Sequence, residues 1–119
     1  MVHPIFQLTE WLERQKDRNL VIYKEELATG KQEVIDQDRV QMLLENITAR
    51  TIEHHDEDDY LADQEIILHG VGHIYSDEGI MELPQQVYEI PLLGEITTHN
   101  EKNIVKVETE KAIYTIFSE

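Results

Sequence analysis

The sequence predicts an α+β domain in which two helices pack against one side of a curved, mainly antiparallel sheet or partial barrel. Three observations carry this expectation. Ile5, Leu8, Trp11 and Leu12 form a helical stripe behind Pro4. Val40, Leu43, Leu44 and Ile47 fall at i, i+3, i+4 and i+7. From Arg50 onward the helical period disappears and β-prone runs take over. The 119 residues suit a single domain over positions 1–119, large enough to bury a core without disulfide or metal staples.

The first helix is expected over about residues 4–16, with Pro4 in the first turn and Glu10, Glu13, Arg14 and Lys16 off the apolar face. Leu20 to Tyr23 and Glu33 to Ile35 are β-prone and flank Thr29-Gly30, which predicts a hairpin closed around Ala28 to Lys31. Asp36 or Asp38 then caps a second helix, expected from about Gln37 to Thr48. Thr51 to His55 is a short strand candidate, and Asp56 to Asp63 an acidic loop. Glu65 to Tyr75, Ile80 to Leu83, Gln86 to Leu92 and Glu95 to Thr98 follow as strands. Pro84 and Pro91 belong at edges or bulges, since proline gives no ladder donor.

The last hairpin can be registered from the sequence. A two-residue turn at Glu110-Lys111 sets Thr109 opposite Ala112, Val107 opposite Tyr114 and Val105 opposite Ile116. Those apolar residues share one face. The other face carries Lys106, Glu108 and Thr115, but also Ile104, Ile113 and Phe117. It is too apolar for open solvent, so a helix or a second copy of the chain is its expected cover, and a homodimer is an expectation.

Charge is unevenly placed. Residues 1–50 carry net −2, residues 51–101 carry thirteen acidic and no basic side chains, and residues 102–119 are balanced, for a total of −15. Duplex nucleic acid and anionic membranes are therefore not expected partners, because affinity for them comes mainly from Lys and Arg. The absence of cysteine excludes disulfides, thiolate zinc sites and cysteine nucleophiles. Met1 to Asp17 mixes charge into its apolar positions and has no h-region, so the expected compartment is the cytoplasm.

Two clusters are the candidate sites. His69-Gly70-Val71-Gly72-His73 spaces two imidazoles at i, i+4, but the flanking Ile66, Ile67, Leu68 and Ile74 mark a strand. Four residues along a strand span roughly 13 Å, too far for one ion. The glycines are expected to allow close packing, against Trp11 or a helix. His54, His55, Asp56, Glu57, Asp58 and Asp59 form the densest polar run, whose carboxylates favour the imidazolium forms. An EF-hand counted from Asp56 fails, since Tyr60 and Leu61 occupy the ligand and glycine positions. No phosphate loop, nucleophile elbow or zincin motif occurs, and no cofactor or metal is expected.

Three functions follow, in order. The first is an acidic interaction or adaptor protein docking a basic partner surface. The second is a ligand-binding or enzymatic barrel-like domain, with His69, His73 and Tyr75 lining a pocket. The third is a mimic of nucleic-acid charge. An enzyme is the less expected outcome, because no catalytic constellation is legible.

Overall fold

The computed structural model describes residues 4–27, 34–52, 63–92, 96–109 and 111–119. Among them lie one α-helix, a short 3-10 turn and ten strands. The fold is thus mostly β, which overturns the expectation of two helices packed on a sheet. The antiparallel character holds. Every strand pairing among the described residues is antiparallel.

Helix α1 spans Pro4–Glu13. Its stripe of Ile5, Leu8, Trp11 and Leu12 is buried, as the spacing requires. The helix ends in a turn at Asp17, which adopts a positive φ of 68°. Asp tolerates this conformation better than most side chains. There the Asp17 N–H donates to the Leu44 carbonyl at 2.7 Å and steers the chain into the first strand.

Strand β1 covers Asn19–Leu27 and β2 covers Val34–Leu43. They pair antiparallel, as the expected hairpin requires, with the turn expected around Ala28 to Lys31 lying outside the described residues; but β2 runs on through the segment expected to be the second helix. Nearly the whole of β1 is registered against it, from Asn19 opposite Leu43 to Leu27 opposite Val34. Val40, Met42 and Leu44 are all buried at a spacing of two, so the strand period wins over the helical one. The chain then continues as β3, Asn46–Ile52.

The remaining strands are β4 (Asp63–His69), β5 (Gly72–Ser76), β6 (Gly79–Glu82), β7 (Val87–Leu92), β8 (Thr97–Asn100), β9 (Ile104–Glu108) and β10 (Ala112–Ser118). The single long strand expected over Glu65 to Tyr75 is broken at Gly70-Val71 into β4 and β5. The β9–β10 register places Val107 opposite Tyr114 and Val105 opposite Ile116, and the Thr109 N–H donates to the Ala112 carbonyl, as read from the sequence. The segment 53–62, with His54, His55 and Asp56 to Asp59, lies outside the described residues.

Two sheets result. Seven strands run in the order β6-β5-β2-β1-β10-β9-β8, and three in the order β3-β4-β7. One core joins them: Leu20 and Ile22 of β1, Val40 and Met42 of β2, Ile66 and Leu68 of β4, Ile90 and Leu92 of β7, and Val105, Val107, Tyr114 and Ile116 of β9 and β10. The helical stripe of α1 belongs to the same cluster. Alternation along each strand produces this arrangement, with one side chain in two turned to the other sheet.

Three of the crossings between the sheets, after β2, β4 and β6, meet at one corner. There the Leu43 N–H donates to Val71 O, the Glu45 N–H to His69 O, the Gly70 N–H to Gln86 O and the Leu83 N–H to Gly72 O. The glycines serve close packing, but against backbone of β2 and its end rather than against Trp11 or a helix. A Cβ at Gly70 would meet the Leu43 carbonyl oxygen, and one at Gly72 the Gln41 carbonyl oxygen. No helix among the described residues is long and apolar enough to cross a membrane.

Candidate functional site

The seven-stranded sheet has an inner face in the core and an outer face on which α1 does not pack. Seven residues form one cross-strand row over that outer face. They are Ile80, Tyr75, Arg39, Tyr23, Thr115, Lys106 and His99, one from each strand. The neighbouring row is Glu82, His73, Gln41, Val21, Phe117 and Ile104. The face therefore presents aromatic rings and charges of both signs on a rigid pleated support.

At its centre is an open groove of about 570 Å³. Tyr23 stands 43 % exposed on the groove wall and meets Phe117 edge to face, with ring centroids 5.6 Å apart. The Arg39 guanidinium lies 4.5 Å above the centroid of the Tyr75 ring. Such stacking holds an arginine flat and contributes about 0.5–1 kcal/mol at an exposed site. Among the described residues Arg39 Nε has no hydrogen-bond partner. Lys24, Glu25, Asp38 and Asp77 also line it, and the Glu25 carboxylate accepts from Gln37 Nε2 at 3.4 Å. A second depression of about 350 Å³, bordered by Val21, Gln41, Val71 and His73, lies farther along the strands.

The sequence-derived candidates are divided by this architecture. His73 and Tyr75 share the outer face of the large sheet, in adjacent rows. His69 belongs to the small sheet, where its Nε2 lies 2.9 Å from Thr48 Oγ1. The described residues contain no cluster of three or more metal-ligating side chains. Nothing in the sequence singles out Tyr23 or Arg39. Arg39 falls in the expected helix, and only its strand register reveals that it faces Tyr75.

Two other polar clusters bear on chemistry. Where the inner face of the large sheet becomes polar, Lys24 lies 6.0 Å from the centroid of the Tyr114 ring and 3.3 Å from Glu26. Burial, with a smaller contribution from the Glu26 charge, pushes the Tyr114 phenol up to about 12. Burial also raises Tyr88, followed by the charges of Tyr114, Asp38 and Glu26. Both phenols stay protonated at neutral pH, so they are hydrogen-bonding groups rather than phenolate nucleophiles.

On the small sheet, Glu65 is only 3 % exposed. Its Oε2 accepts from Arg50 Nε at 3.2 Å and Nη2 at 2.5 Å. Glu89 is also hydrogen-bonded to Glu65, and that bond, then the Glu65 charge, raises its affinity for a proton. Two carboxylates sharing a site cannot both ionise freely. A carboxyl group with a raised native pKa stabilises the fold fully below its unfolded value, and the gain is lost as pH rises through the native value. Glu89→Gln supplies a permanent donor to Glu65. The variant is therefore expected to be more stable than wild type at pH near 7, with the difference closing as pH falls towards the ordinary glutamate value of about 4.3. Urea midpoints across this interval check the expectation, and a pH-independent difference would contradict it.

With this geometry in place, relatives add an identity. The family model described as YmzB-like protein matches residues 1–119. The chain belongs to that family. It is similar to the "Uncharacterized protein YmzB" of Bacillus subtilis (strain 168), with 41 % identity over 116 residues, covering 98 % of this chain and 96 % of the relative. No solved structure matches the chain. Membership of the YmzB-like family thus comes without an assigned chemistry, and the outer face of the large sheet is where a function is best sought.

Proposed function

We propose that this protein is an acidic interaction module that docks a basic, extended segment of a partner protein on the outer face of its seven-stranded sheet. The observation that supports it is the groove, open among the described residues, between Tyr23, Phe117 and the Arg39–Tyr75 stack, on a chain of net charge −15. Aromatic side chains on a rigid support give large contact area at low entropy cost, and Tyr is enriched where interfaces hold most of their energy. Glu25 and Asp77 are placed to meet Lys or Arg of the partner. The two depressions in series suit a chain segment better than a compact small molecule.

The mixture of signs favours a peptide over the alternatives. On this face Arg39, Lys106, His73 and His99 alternate with Glu25, Glu82 and Glu108. A mimic of a phosphate backbone would carry one sign. An anionic ligand would meet both the local carboxylates and the long-range negative field.

The test is a ¹⁵N–¹H titration with a Lys/Arg-rich peptide containing one aromatic residue, beside an acidic peptide of the same length. The basic peptide is expected to shift the amides of Tyr23, Arg39, Tyr75 and Phe117. Its affinity should fall as salt rises. Tyr23→Ala, at an exposed position, should weaken binding roughly tenfold, a hot-spot effect of about 1.4 kcal/mol. Equal binding of the acidic peptide, or shifts confined to other surfaces, would overturn the reading.

A further inference from the structure

We propose that β6 is a dimerisation edge, at which a second copy of this chain adds its own β6 antiparallel across a two-fold axis through Met81. Among the described residues the sheets have four edges: β6 and β8 of the large sheet, β3 and β7 of the small one. Natural sheets blunt such edges with covering elements, proline or charge. Strand β8 is engaged by α1, since Asn100 Nδ2 donates to the Gln7 carbonyl at 3.3 Å and Thr98 Oγ1 to Gln7 Oε1 at 3.5 Å. Strand β3 also borders α1 and carries Arg50. Strand β7 contains Pro91 and the exposed Glu89. Strand β6 has no covering element among the described residues and no proline, and its one charge, Glu82, stands at the end of a four-residue strand. All four of its residues are exposed, and Ile80 and Met81 are 69 % and 55 % exposed.

The backbone pattern specifies how a copy fits. Leu83 N–H donates to Gly72 O, so odd-numbered residues of this strand turn their backbone groups towards β5. The N–H and C=O groups of Ile80 and Glu82 therefore point away from the sheet, and no bond to them is formed among the described residues. These two residues flank Met81 symmetrically. A copy rotated about Met81 sets Ile80 opposite the partner's Glu82 and Glu82 opposite the partner's Ile80. All four outward groups on each strand are then satisfied, and the two exposed Met81 side chains meet across the axis.

Charge selects the antiparallel copy as well. Glu82 then faces an isoleucine rather than another carboxylate. The acidic hairpin tips, Asp77 and Glu78, fall at opposite ends of the junction, where a parallel arrangement would set them side by side. A longer foreign strand gains nothing beyond this segment, because Pro84 offers no donor on one side and the Asp77-Glu78 turn ends the strand on the other. Pairing would make the two large sheets continuous and set their outer grooves on one surface.

The absence of cysteine from the chain allows a direct test. Across the axis, residue 81 forms a non-hydrogen-bonded pair with itself, with Cα atoms about 4.5 Å apart, inside the range a disulfide spans. Residue 80 lies roughly 8 Å from its own copy, outside that range. Met81→Cys is therefore expected to form a disulfide-linked dimer in a glutathione redox buffer, while Ile80→Cys stays unlinked. Sedimentation equilibrium of the wild-type chain should show a dimer that strengthens between ionic strengths of about 0.1 and 1 M, as the repulsion between two acidic copies is screened. Docking of a basic partner weakens over the same interval, so the two proposals fail separately. Ile80→Pro removes an outward N–H without touching the β5 ladder and should return the chain to monomer, with an unchanged far-ultraviolet spectrum. A monomer under all conditions, equal crosslinking of both cysteine variants, or a dimer that persists in Ile80→Pro would each overturn the proposal.

Discussion

Gly70→Ala is expected to destabilise the protein by about 3 kcal/mol or more, near the upper end of what single substitutions cost. The reason is a backbone contact that no rotamer can relieve. A Cβ at position 70 would overlap the Leu43 carbonyl oxygen and lie 2.9 Å from its carbon. Leu43 cannot retreat, because its own N–H is bonded to Val71 O, and Leu44 behind it is bonded to Arg18 O and buried. The corner where the chain passes between the sheets would have to open. Gly79→Ala is the informative comparison. Gly79 has a φ of +123°, but a methyl group there would have nothing within 4 Å, so only backbone strain is added. Its cost should be nearer 1 kcal/mol. Thermal unfolding should separate the two, with Gly70→Ala lowering the midpoint by roughly 10 °C or more. A change at Gly70 no larger than that at Gly79 would show that the corner relaxes easily.

The same corner explains what the sequence concealed. Val40, Leu43, Leu44 and Ile47 keep a helical spacing, yet the segment is β2 and β3. Where a strand passes from one sheet to the other, successive residues can both find apolar surroundings. Leu43 is half-buried and Leu44 fully buried. Leu43 interrupts the buried alternation of Val40, Met42 and Leu44, and the adjacent pair imitates the i+3, i+4 doublet of a helix. What decides the structure is non-local, namely the pairing of β2 with β1 on one side and β5 on the other. Single-chain periodicity carries no record of it. The β9–β10 hairpin was legible because its short turn and its alternating residues specify the same register, with no sheet switch between. The break at Gly70-Val71 was signalled by the glycines, though not the partner they approach.

The candidate site was partly legible for the same reasons. His73 and Tyr75 lie on a strand recognised as such, and Phe117 belongs to a hairpin face whose pattern is too apolar for water. Tyr23 and Arg39 become visible only with the β1–β2 register, which sets them directly opposite one another. No helix among the described residues covers that hairpin face, and a seven-stranded row of aromatic and charged side chains runs across it. An apolar outer face with no packed element is the feature that links the fold to the proposed docking role.

Trp11→Ala is expected to cost about 3–5 kcal/mol, the usual range for truncating a buried aromatic. Trp11 is 4 % exposed, and Leu8 and Leu12 beside it are completely buried. Its indole Nε1–H donates to the Glu101 carbonyl at 3.1 Å, while its own carbonyl accepts from the buried Gln15 Nε2 at 3.2 Å. The ring thus fixes α1 to the loop after β8, and α1 in turn engages the β8 edge through Gln7. Truncation should loosen three things together: the core, the helix and the guarded edge. Trp11→Phe separates packing from the hydrogen bond. It keeps most of the buried ring, and water can reach Glu101, which is exposed. Its cost should stay near 1 kcal/mol. Urea unfolding measures both, and Trp11 is the chain's one tryptophan, so the wild-type transition can be followed by its fluorescence. Equal losses in the two variants would mean that the indole hydrogen bond, rather than the volume of the ring, holds α1 in place. If Trp11→Ala also exposes β8 enough to promote association, that association should differ from the β6 dimer in surviving Ile80→Pro.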